Sequence, residues 1–360
     1  MDRKLILTFI AMGIGIFVIA ADIIAINVAL PVVEKDFKIN LGTVEWIING
    51  YLLAFAMLMV TAGRLADMYG RKKIFLLGLV LFAAASLIGG LSQGAGLLIS
   101  MRVLQGAGAA FMWPAIIGIC YASVAENQKG YAMGLVFAVA GFGNAVGPLY
   151  GGLLTEFLSW RWVLFVNVPL AVLAGIITYF VVTAQSTESE ERGIDYIGIL
   201  TISITIIALL LALDQSTSWG WLSLKTTGLI VVSLIFLFLF VKFEKKQDCA
   251  LIPSDVMNNS GFMVYCIIMA TFIPTFFSLF LYLPQYLEKF KNYTPIEAGA
   301  GLVPMLLTYS LISPFSGKIY NKLGPRMTIF AGMILTSIGT YCIVLFGLGS
   351  GIIYMFLATM

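Results

Sequence analysis

From Ile74 to Leu91 the chain runs for eighteen residues without a charge, enough for a helix to cross the hydrocarbon core of a bilayer. Runs of this kind recur near residues 5–31, 45–62, 74–92, 97–122, 131–155, 162–183, 196–213, 226–241, 261–286, 297–316 and 327–347, and another opens near Ile352. They are apolar on all sides instead of alternating, which argues for helices and against a membrane barrel. Hydrophobic residues make up 60% of the chain and charged ones 11%, and the mean hydropathy is +1.00, far from soluble averages. An all-α, multi-pass membrane protein is expected.

Loop charge sets the expected orientation. Leu5 to Ala21 after Arg3 and Lys4 has the outline of a signal peptide, but the apolar run resumes at Ile23, so an uncleaved first span is expected. Most lysines and arginines, among them Arg64, Arg71, Lys72, Lys73, Lys129, Arg192, Lys242 and Lys245, then fall on the side of the N-terminus, which predicts a cytoplasmic N-terminus in the cell membrane. A net charge of +3 gives no reason to expect nucleic acid as a partner. Cys120, Cys249, Cys266 and Cys342 lie far apart and suggest neither a disulfide framework nor a metal site. Histidine is absent, so no catalytic His dyad exists and any transported proton must ride on a carboxylate.

Four signatures interrupt the apolar pattern. In the first helix, Asp22-Ile-Ile-Ala-Ile-Asn27 leads to Pro31, placing a carboxylate and an amide in a span. At 1.5 Å per residue Asp22 lies in the outer half of the membrane, and Arg102, in Arg102-Val-Leu-Gln105-Gly106-Ala-Gly108 of the fourth helix, lies at similar depth. Ionisable groups within spans are costly and mark functional sites. The two are candidates for proton coupling, the alternative being a structural buried ion pair; Asn27 and Gln105 are candidate substrate contacts.

The remaining two signatures are rich in glycine. Gly143, Gly147 and Gly151, with Pro148 and Gly152, place small residues at every fourth position of the fifth helix, where a neighbour can approach closely. Gly63-Arg-Leu-Ala-Asp67-Met-Tyr-Gly70-Arg71-Lys72-Lys73 is a charged turn between spans two and three, and Gly63, Asp67, Gly70 and Arg71 are candidates for a conformational gate. Gly317 to Gly324 echoes its seven-residue step, the internal repeat that transporters show. The expected organisation is an N-terminal six-helix bundle over 1–183, two linking helices with their loops over 184–260, and a second bundle over 261–360. Glu188, Glu190, Glu191 and Arg192 form a solvated linker, and Trp160, Trp162, Trp219 and Trp221 read as interface anchors.

These signatures resemble the major facilitator superfamily, specifically its 14-helix drug:proton antiporters of the multidrug efflux type. The turn from Gly63 to Lys73 is similar to the family's G-x-L-a-D-r-x-G-r-k loop, with Met68 where a basic residue is frequent. Asp22 to Pro31 is similar to the first-helix signature, Arg102 to Gly108 to R-x-x-q-G-x-g, Gly143 to Gly152 to the antiporter pattern G-x-x-x-G-P-x-x-G-G, and Trp160 to Pro169 to the start of the sixth helix. The second loop departs from the pattern, with Asn321 in the place of Asp67. The family pattern places the rest of a twelfth helix and two further spans beyond Met360, so the second bundle is expected to be incomplete.

The resemblance implies a monomeric transporter, not an enzyme, that exports amphipathic or hydrophobic drug-like compounds in exchange for protons. It would need no cofactor beyond the proton gradient, and its partners would be a small-molecule substrate, protons and the lipid bilayer. Export of a metabolite or siderophore is the alternative within this class. A receptor or channel would need a ligand domain or pore ring, and neither is visible in these short loops.

Overall fold

The computed structural model describes residues 3–183, 195–245, 250–252, 254–274 and 295–347. Its helices are α1 (Arg3–Phe37), α2 (Leu41–Tyr69), α3 (Arg71–Gly90), α4 (Ala95–Ala122) and α5 (Lys129–Phe157), then α6 (Arg161–Val181), α7 (Tyr196–Trp219), α8 (Leu224–Glu244), α9 (Ser260–Pro274) and α10 (Pro295–Gly347). Among the described residues there is no strand, and eight helices, α1 to α8, are long and apolar enough to cross a membrane.

The helices begin and end for local reasons. Asn40 caps α2 by accepting the Thr43 N–H at 2.9 Å, Asp195 caps α7 through the Gly198 N–H, and Ser223 caps α8 through the Thr226 N–H, each satisfying a donor that lacks a partner within its helix. Gly70 takes φ +98° between α2 and α3, a conformation that side chains disfavour. Gly324 does the same at φ +76° and breaks α10. The seven-residue step from Gly63 to Gly70 and from Gly317 to Gly324 thus ends each time in a positive-φ glycine between two helical stretches.

Several boundaries differ from the sequence expectation. Pro31 does not end α1, which continues to Phe37; a proline removes one donor without forbidding the helix beyond it. The charged turn is a single residue, because α2 runs through Arg64 and Asp67 to Tyr69. Hydropathy detects only the apolar part of a helix, and these ends are polar. Trp160 is buried in the core instead of lying at an interface, whereas Trp162 is exposed. The expected span over 261–286 is helical as far as Pro274; its remainder, the acidic linker at 188–192 and the start of a span near Ile352 lie outside the described residues.

The chain forms two compact units. One comprises residues 1–30, 117–163 and 267–360 and includes most of α1 and all of α5 and α10; the other comprises 31–116 and 164–266 and includes α2, α3, α7, α8 and most of α4 and α6. In the second unit α7 and α8 pair, Ser233 Oγ donating to the Thr205 carbonyl at 3.0 Å. Asn49 Nδ2 of α2 donates to Asp214 Oδ1 of α7 at 2.8 Å, and Lys72 Nζ at the start of α3 donates to the Tyr179 and Val182 carbonyls at 2.8 and 2.7 Å. That lysine satisfies carbonyls left open at the end of α6.

Candidate functional site

In the second unit, Arg102 is 1% exposed, a position that an arginine can hold only if its donors are satisfied. Its Nε donates to the Ile47 carbonyl of α2 at 3.0 Å and its Nη1 to Gln105 Oε1 at 2.5 Å. The guanidinium carbon lies 4.4 Å from the Tyr51 ring centroid, a cation–π distance. Gln105 Nε2 passes the chain to Ser86 Oγ of α3 at 2.9 Å, and Ser86 donates to the Phe82 carbonyl at 2.7 Å. Arg102 and Gln105, one turn apart on α4, therefore join α2 to α3 through a buried polar network.

The glycines of the same signature make the reach possible. A Cβ on Gly106 would overlap the Tyr51 carbonyl oxygen, and one on Gly108 would lie 2.7 Å from the Phe82 nitrogen. Gly78 of α3 is held as closely, 2.7 Å from the Gly108 oxygen by the same construction. Gly106 admits α2 and Gly108 admits α3, so the polar and glycine parts of the signature serve one three-helix junction.

In the first unit Asp22 is fully buried, and the helix around it rests on the α5 glycines. A Cβ on Gly143 would meet the Phe17 oxygen and Ala20 Cβ at 3.2 Å, one on Gly147 would meet Ile24 Cβ at 2.9 Å, and one on Gly151 would meet Ala25 Cα and its oxygen at 2.7 Å. The stripe therefore brings two backbones together along the turns that flank Asp22. Gly152 is different, with Val28 at 4.0 Å, and Pro148, at i+1 from Gly147, lies inside the helix. Farther along α5, a Cβ on Gly134 would meet the Ser313 oxygen of α10, and Gly130 packs against Gly317. The helix is in backbone contact with two others.

Of the remaining sequence candidates, Asn27 is exposed on α1. Asp67 and Arg71 pair at 3.1 Å across Gly70, partly exposed, and a Cβ on Gly63 would meet Pro114 of α4 at an ordinary 3.6 Å. Ser86, Tyr51 and Gly78 were absent from the sequence candidates. Gly78 carried a signal, an isolated glycine in an apolar helix, but a lone serine or tyrosine in a span carries none.

The model of the Major Facilitator Superfamily matches residues 12–360. The chain belongs to this superfamily. It is 29% identical over 330 residues to the tetracenomycin C resistance and export protein of Streptomyces glaucescens, covering 92% of this chain and 61% of that one. It is 30% identical over 343 residues to multidrug resistance protein Stp of Mycobacterium tuberculosis, covering 94% and 63%, and 30% identical over 362 residues to the riboflavin transporter RibZ of Clostridioides difficile, covering 96% and 78%. The chain thus spans just over three fifths of the first two relatives. Its fold is the all-helical major facilitator fold, and its relatives include the drug-efflux branch that the sequence motifs resemble.

The packing leads to two expected outcomes. Gly151→Ala, forced against the Ala25 backbone, should lower the melting temperature of the detergent-solubilised full-length protein by several degrees, a cost of about 1–3 kcal/mol, while Gly152→Ala stays near wild type. Arg102→Lys keeps the charge but not the planar fork that serves Ile47, Gln105 and Tyr51 together; it should lose most of the thermal stability lost by Arg102→Ala, measured as the melting temperature of the same full-length protein.

Proposed function

We propose that this facilitator is a proton-coupled antiporter that exports small amphipathic or hydrophobic compounds across the cell membrane, with Asp22 as the proton carrier. The observation that carries the reading is a fully buried carboxylate in a helix packed at backbone distance on the glycines of α5. A carboxylate can hold a transported proton in one conformation and give it up in the other. A helix in that kind of contact has few intermediate positions, so exchange of the proton can accompany a switch between two discrete packings.

Arg102 is assigned the fixed cationic part of the coupling machinery, and the glycine-bounded Asp67–Arg71 turn the role of gate. The names of the drug-resistance and export relatives support a drug-like substrate. A second reading, transport of an endogenous metabolite, is favoured by the similarity to a riboflavin transporter.

Asp22→Asn cannot release a proton. In inverted vesicles carrying the full-length protein, with an imposed pH gradient and a panel of lipophilic cations, neutral drugs and riboflavin, this variant should insert normally yet fall to the uptake seen without a gradient. Gradient-driven uptake at the wild-type rate would remove Asp22 from the coupling step. The compound that is transported decides between the drug and metabolite readings.

A further inference from the structure

The polar network of α2, α3 and α4 leaves two buried acids of the linker helices unused. Asp195, 4% exposed, precedes α7, and Glu244, 1% exposed, ends α8. One oxygen of each carboxyl holds a backbone amide, Asp195 Oδ1 accepting the Gly198 N–H at 2.8 Å and Glu244 Oε1 accepting the Ile252 N–H at 2.5 Å. The second oxygens, Asp195 Oδ2 and Glu244 Oε2, are buried and meet no N–H or hydroxyl donor among the described residues. Both converge over Gly198, where a Cβ would collide with Oδ2 and lie 2.9 Å from Oε2. The missing side chain at 198 leaves the space toward which both free oxygens are turned.

Two carboxylates cannot share a hydrogen bond when both are ionised, since neither has a proton to donate. Two like charges buried side by side also disfavour double ionisation. Lys242 and Lys245, which flank Glu244, are exposed; α2, packed against α7, carries Arg64 and Asp67, and Asp67 is paired with Arg71. Metal chemistry has no support here, since no group of three or more candidate ligands occurs among the described residues.

We propose that Asp195 and Glu244 form a proton-binding site in which a single proton held between Oδ2 and Oε2 clasps the start of α7, the end of α8 and the backbone at Ile252. Losing that proton leaves two facing carboxylates and opens the clasp. Gaining it closes the clasp, with the proton covalently bound to one oxygen and hydrogen-bonded to the other. The site is independent of Asp22.

Infrared spectroscopy of the full-length protein in lipid nanodiscs at neutral pH tests the site without a transport assay. A shared proton makes one acid and one carboxylate. Glu244→Gln and Asp195→Asn should therefore each abolish one protonated-carboxyl C=O band while leaving carboxylate absorption unchanged, because the surviving acid ionises and accepts from the new amide. The double variant should lose one acid band and one carboxylate. Loss of carboxylate absorption alone in both single variants would mean that both acids are ionised and would overturn the proposal, as would two acid bands lost in the double variant. The amides reproduce the hydrogen bonds of the shared-proton state, so failure of both single variants to fold would overturn it too.

Discussion

In a bilayer every polar group must find its partner inside the protein, and the arrangement of α2, α3 and α4 follows from that requirement at Arg102. A guanidinium 1% exposed has donors for several acceptors, and one helix cannot provide them. Nε and Nη1 reach a backbone carbonyl of α2 and Gln105 of their own helix, the guanidinium faces an aromatic ring of α2, and Gln105 continues to Ser86 of α3. Gly106 and Gly108 then become necessary, because side chains there would hold α2 and α3 too far from α4 for the hydrogen bonds to close.

The first unit is built on small residues. Ala20, Ala21 and Ala25, on the turns of α1 that flank Asp22, lie on the α5 glycines. Without a hydrophobic drive between helices in lipid, close van der Waals packing is the main source of their association. Backbone contact on this scale is stiff, and interfaces of this stiffness change between alternative packings instead of deforming smoothly.

Much of this was legible in the sequence because charge and glycine are rare events in apolar helices. Arg102 and Gln105 stood out by their polarity, and their spacing put them on one face. Gly143, Gly147 and Gly151 stood out by their period, and Gly70 by its place between two runs. The partners were not legible: Ser86 and Tyr51 look like ordinary span residues until a neighbouring helix supplies the donor or the cation. Pro31 misled because proline is read as a stop, although a helix can continue beyond it, and Trp160 because tryptophan near a span end suggests an interface. Asp195 and Glu244 sit at helix ends, where neither their burial nor their approach over Gly198 is encoded by local pattern.

The central claim is that a buried carboxylate exchanges its proton against substrate. It is tested most directly by adding a lipophilic cation, tetraphenylphosphonium, to the full-length protein in weak buffer while a pH dye reports free protons. The account predicts that protons appear in solution as the cation binds and that its affinity rises with pH, the two effects being linked by thermodynamic reciprocity. Saturable binding with no proton release and an affinity unchanged by pH would contradict it.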